Sequence, residues 1–118
     1  MSRVERVGDL LKEELSELIL REVKDPRVGF VTITGVRVSA DLRHARVYVV
    51  THETGEGQER TLEGLQSARG YLRGALGRRL RLKYIPDLSF NIDETLEEGF
   101  RIHEILKSLA TKDGTDEQ

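Results

Sequence analysis

The sequence predicts an α+β domain in which a three-stranded sheet carries its helices on one face. Apolar residues recur at helical spacing over 4–23 and again over 59–82. Between and after those stretches they alternate every second residue, over 30–38, 45–50 and 88–92, as in half-buried strands. The 118 residues suffice for one core and fit a single domain.

The elements follow in order. Val4, Val7, Leu11, Leu15 and Leu18, with Leu10 and Ile19, form one apolar stripe, so residues 4–23 are a helix of about 30 Å. Lys24-Asp25-Pro26-Arg27 ends it, because the residue before proline is pushed out of the helical region. In Phe30–Val38 the apolar positions run Val31, Ile33, then Val36, Val38, and the change of parity at Gly35 marks a β-bulge or bend. Asp41-Leu42-Arg43-His44 is a turn. Ala45, Val47 and Val49 then share one face of a second strand, and Arg46 and Tyr48 the other. Thr51–Gln58 is a polar loop.

Residues 59–82 read as helix, with Leu62, Leu65, Ala68, Leu72, Ala75, Leu76 and Leu80 as its apolar stripe. Gly64, Gly70, Gly74 and Gly77 interrupt it, each at a cost of about 0.8–1 kcal/mol relative to Ala. A kink near Ala68-Arg69-Gly70 reconciles the two. Leu88, Phe90 and Ile92 make a third strand, opened by Pro86 where no ladder donor is needed. Thr95-Leu96-Glu97-Glu98 has capping-box form and starts a last helix, with Leu96, Phe100, Ile102, His103, Leu106 and Leu109 on its apolar side. The domain is placed at 1–110, and 111–118 is a flexible acidic tail. This string of elements is the KH-like arrangement.

Composition narrows the function. There is no cysteine, which excludes disulfides and thiolate chemistry. No apolar run approaches a membrane span, and the N-terminus lacks a signal-peptide core, so a cytoplasmic protein is expected. The net charge of -2 argues against a nucleic-acid binder until its distribution is examined. Residues 1–64 carry 10 Lys/Arg against 12 Asp/Glu, and residues 86–118 carry 3 against 9. Between them, residues 65–85 hold six cations (Arg69, Arg73, Arg78, Arg79, Arg81, Lys83) and no acid. Such a block is either a solvated helix face or a local field for phosphates.

Four segments resemble the bacterial ribosome-binding factor A family. They are Arg21-Glu22-Val23-Lys24-Asp25-Pro26-Arg27 before a strand, and Ala40-Asp41-Leu42-Arg43-His44-Ala45-Arg46-Val47-Tyr48-Val49 across the turn. Ala68-Arg69-Gly70-Tyr71-Leu72-Arg73, continued by Leu80–Leu88, is the third, and Glu98-Gly99-Phe100-Arg101-Ile102 the fourth. They run in order from residue 4 to about 108. The resemblance implies a type II KH-like domain that binds the small (30S) ribosomal subunit and its 16S rRNA late in maturation. It also implies a role in processing the RNA 5′ end and importance in the cold. The family's Ala-x-Gly kink maps to Ala68-Arg69-Gly70. A GTPase or another assembly factor is a further partner to consider, and monomer is the default state.

The literal GxxG at Gly74-Ala75-Leu76-Gly77 lies inside the apolar periodicity, with Ala75 and Leu76 as core positions, and is read as coincidence. Projected at about 100° per residue, Gly70, Gly74, Gly77, Arg73, Arg78 and Arg81 fall away from Leu65, Leu72 and Leu76. Bare backbone there would admit phosphates and arginines would hold them; the competing reading is close packing against another helix. The candidate RNA contacts are Arg69, Gly70, Arg73, Arg78, Arg79, Arg81 and Lys83, then Lys24 and Arg27, and Arg43 and Arg46. For Lys24 and Arg27, helix capping competes equally; for Arg43 and Arg46, grouped with His44 at the hairpin, a solvated turn is the stronger reading apart from the resemblance. Catalytic residues, cofactors and metal ligands are not expected: His44, His52 and His103 have no HxxxH or HExxH spacing, and no P-loop or GxSxG is present. The alternative functions are a KH-like protein-interaction module that leaves RNA alone and, with less to support it, a nuclease.

Overall fold

The computed structural model describes residues 1–95 of the chain. Its elements are α1 (Arg3–Glu22), β1 (Val31–Val38), β2 (His44–Thr51), α2 (Glu56–Ser67), α3 (Arg69–Arg79) and β3 (Asp87–Ile92). Beyond Thr95, the expected last helix and the acidic tail lie outside the described residues.

Helix α1 opens on a capping box: the Ser2 hydroxyl accepts from the Glu5 N–H, and the Glu5 carboxylate accepts from the Ser2 N–H. Val7, Leu11, Leu15, Leu18 and Ile19 are buried, as the stripe requires. At Gly8 the helix meets β1 so closely that an added Cβ would stand 2.8 Å from the Val36 carbonyl oxygen.

The sheet has the order β1-β2-β3, with β2 antiparallel to β1 and parallel to β3. The register pairs Ile33 with Val49 and Gly35 with Tyr48, so Thr34 and Gly35 together oppose one residue, and this is the bulge that the parity change predicts. Ile33, Ala45, Val47, Val49, Leu88 and Phe90 are buried on one face and join α1, Leu65, Leu72, Ala75 and Leu76 in a single core. Arg37, Arg46 and Ser89 sit side by side on the opposite, open face. The turn between β1 and β2 is held by side chains: Ser39 Oγ donates to Asp41, which accepts from the Arg43 N–H, and Leu42 takes φ 63°.

The kink falls at Ala68, which closes α2 and opens α3 with φ -87° and ψ 0°. The helical boundaries differ from expectation at both outer ends. Helix α2 begins at Glu56, inside the stretch read as loop, because Gly55 turns the chain with φ 54° and Glu56 and Glu59 favour a helix N-terminus. Helix α3 stops at Arg79, and Leu80 is extended (φ -116°, ψ 147°). Leu80 and Leu82 pack against the core two residues apart, so their spacing belongs to an extended segment, and Arg81 is not on the helical face where projection put it.

A basic cleft beside the third helix

Helix α3 turns Leu72, Ala75 and Leu76 inward and leaves its glycines bare. A Cβ added at Gly70 would meet nothing within 4 Å; at Gly74 it would meet Arg78 Nη1 at 3.6 Å, and at Gly77 the Ile85 side chain at 3.7 Å. These are open or ordinary contacts, which removes the close-packing reading for all three. The crowded glycines are Gly8, Gly57, where an added Cβ would stand 2.8 Å from Glu53 Cβ, and Gly64, where it would stand 2.6 Å from Val28 Cγ2.

The bare side of α3 forms one wall of a cleft of about 720 Å³ lined by Arg43, His44, Gly70, Arg73, Gly74, Lys83, Tyr84, Ile85 and Asp87. Three separated segments meet here: the β1–β2 turn, the first turns of α3 and the bend that leads into β3. Tyr84 is half exposed and stands between two cations, with Arg43 Cζ 4.8 Å and Lys83 Nζ 5.6 Å from its ring centroid. Arg73 crosses the cleft wall. Its Nη2 donates to the Ile85 carbonyl at 3.0 Å and its Nε to the Pro86 carbonyl at 3.2 Å, and it pairs with Asp87 at 3.4 Å. It therefore fixes the lead-in segment as well as charging the cleft.

The other expected cations divide. Arg79 does not join the cleft: it faces α1, where it bonds Glu17 at 2.7 Å, Glu22 at 3.2 Å and Glu14 at 3.3 Å. These bonds, Glu17's first, raise the Arg79 pKa, and the Arg79 hydrogen bond lowers that of Glu17. Tyr71 closes the same seam by donating its hydroxyl to Glu22. Arg27 doubly bonds Asp25, holding that carboxyl down to about 2, and reaches Ser67 Oγ at 3.1 Å. It thus ties the α1–β1 connection to the end of α2. Arg69 Nε donates to the Gln66 carbonyl at 3.2 Å. Lys24, Arg78 and Arg81 are exposed. Arg46 lies on the open sheet face, directly opposite Arg37.

Sequence reasoning missed Asp87 as the cleft's acid and Arg37 as a neighbour of Arg46. The second was legible: Arg37 lies between Val36 and Val38, so its side must be the outward one after the bulge. Arg79 could also have been placed, since about 100° per residue sets it between Ala75 and Leu72 on the buried side. Among the described residues no group of three or more His, Asp or Glu is placed to hold a metal, and no helix is long and apolar enough to cross a membrane.

Frame and cleft together define the class: a small α+β domain presenting a cationic groove walled by bare helix backbone. Residues 3–106 match the family model for ribosome-binding factor A, and the chain belongs to that family. The ribosome-binding factor A of Halothermothrix orenii is 46% identical over 116 residues, covering 98% of this chain and 95% of that protein. The crystal structure of ribosome-binding factor A from Thermus thermophilus is 34% identical with a TM-score of 0.68, over 75% of this chain and 93% of that one. A homology model of the Thermus thermophilus factor, fitted into the cryo-EM map of its 30S complex, gives 34% identity and a TM-score of 0.62, over 78% and 93%.

Proposed function

We propose that the chain is a non-enzymatic assembly factor that binds the small (30S) ribosomal subunit through its 16S rRNA, with the basic cleft as the RNA-facing surface. The observation that carries this reading is the convergence of Arg43, Arg73 and Lys83 on bare backbone at Gly70 and Gly74. Phosphate needs cationic donors and room for its oxygens to approach, and this cleft offers both. Tyr84 adds a ring on which a base can stack. Arg69, Arg78 and Arg81 extend the field along the same segment; Lys24, Arg27 and Arg46 do not line the cleft, and Arg27 stands by a groove at the other end of the sheet. Arg79 serves the fold.

We read the frame as a type II KH-like domain, a reading supported by the kink at Ala68 and the bare Gly70, which would take the place of a nucleotide-clamping loop. In this reading the protein acts in the cytoplasm on late, immature subunits. It biases their RNA toward one conformation by binding that state more tightly than others. Assistance to 5′-end processing and a greater need in the cold belong to the same proposal through the family resemblance, and release by another factor such as a GTPase fits a ligand that must leave the finished subunit.

The test is co-sedimentation with purified small subunits across a salt series, comparing wild type with Arg43→Glu/Lys83→Glu. Arg73 is left intact because its carbonyl bonds are part of the fold. A charge-assisted hydrogen bond is worth about 1.5–3 kcal/mol, so binding should weaken on the order of tenfold or more per contact. If the folded double variant sediments with subunits as wild type does at every salt, the cleft is not the RNA-facing surface and a protein-interaction module becomes the better reading.

A further inference from the structure

A second aromatic group stands open at the far end of the sheet. Phe30 immediately precedes β1 and His52 immediately follows β2, so the strand pairing brings them together at the end opposite the Arg43 turn. Their ring centroids are 5.8 Å apart with planes 31° from parallel, and Phe30 remains 67% exposed. The pair lines a groove of about 550 Å³ with Pro26, Gly29, Glu53 and Arg60, a volume in the ~300–1,000 Å³ range of small-ligand sites. A Cβ added at Gly29 would meet nothing within 4 Å, so the backbone at the rim is open as well. Arg27 also lines this groove but is committed to Asp25 and Ser67. Arg60 is exposed and has no hydrogen bond or ion pair among the described residues.

We infer that this groove receives an unpaired RNA base stacked on Phe30, with Arg60 available to the adjoining phosphate. The inference rests on the reading that the chain binds RNA. An exposed ring beside an uncommitted guanidinium is the pairing that single-strand binders use, because every base offers a flat face and every nucleotide a phosphate. Glu53 is the acid in the lining, and it stands next to His52 in the chain. An apolar protein side chain would find Phe30 but would leave Arg60 without a partner. Eight residues of β2 separate this groove from the Tyr84 cleft, about 25 Å at ~3.3 Å per residue. RNA reaching both would be held at two ends of the sheet.

The experiment uses a single-stranded RNA hexamer with one 2-aminopurine, whose fluorescence falls when it stacks, and an end label for anisotropy. Wild type should bind and quench; Phe30→Ala should lose the quench and about five- to a hundredfold in affinity, and Phe30→Tyr should restore both. Thermal melts check that the variants fold. Binding by anisotropy with no quench, or a quench unchanged in Phe30→Ala, overturns the Phe30 site and leaves the basic cleft standing. No binding of the RNA in low salt removes both. If Phe30→Ala quenches normally yet co-sediments poorly with subunits, the groove meets a protein and the inference falls.

Discussion

The two sides of helix α3 carry the same residue types to opposite ends. On one, Arg79 is fastened by three glutamates of α1 and Tyr71 reaches Glu22, so charge joins two helices. On the other, Gly70 and Gly74 leave the backbone bare while Arg43 and Lys83 lean over an exposed tyrosine. A block of six cations in a sequence is therefore not one surface. What separates its members is where folding sends them: Arg79 into the three glutamates of α1, Arg73 and Lys83 into the cleft, where Arg73 meets the single acid Asp87.

The widest contrast to test lies between neighbours. Arg79→Glu would set a fourth acid among Glu14, Glu17 and Glu22, and thermal melting should fall by many degrees; Arg78→Glu, one residue away and exposed, should leave the melting temperature nearly unchanged. If both variants melt alike, the α1–α3 seam is not held by charge. The glycines sharpen the same contrast with opposite signs. Gly8→Ala forces a methyl against the Val36 carbonyl and should cost about 1–3 kcal/mol, read from urea unfolding. Gly74→Ala meets no obstacle and should stabilise by up to about 0.8–1 kcal/mol, while weakening subunit binding if phosphate approaches there.

Acid gives the smallest effect. Arg79 lowers the Glu17 pKa, so its share of stability is present above the ordinary glutamate value, near 4.5, and is lost as pH falls through the lower folded value. Asp25, held at about 2 by Arg27, extends the loss from near 3.8 down to about 2. Arg79→Met should flatten the Glu17 part of the acid melting curve and leave the Asp25 part; an unchanged curve would detach Glu17 from Arg79.

The elements were legible because each carries its own period. The kink at Ala68 and the bulge before Val36 were legible because each breaks that period at a marked place. The helix end was not, since Leu80 by itself continues the helical stripe and only Leu82, two residues on, marks the extended segment. Half of the cleft was legible: the basic block announced Arg73 and Lys83, and the turn announced Arg43. Their meeting around Tyr84 was hidden because it depends on β3 lying parallel to β2, which no local pattern encodes. Nor does composition distinguish Gly64, crowded by Val28, from the bare Gly74.

The bulge in β1 carries a consequence for the sheet as a whole. Its two residues face Tyr48 alone, and the Thr34 hydroxyl donates to Asp93 at 2.6 Å and lies 3.3 Å from the Tyr48 carbonyl. An outer strand thus reaches over the central one to the chain just past the other edge. Remove one residue there, and Val31, Ile33, Val36 and Val38 would alternate without interruption. The shorter strand would be more regular, but its two margins would no longer be buttoned together.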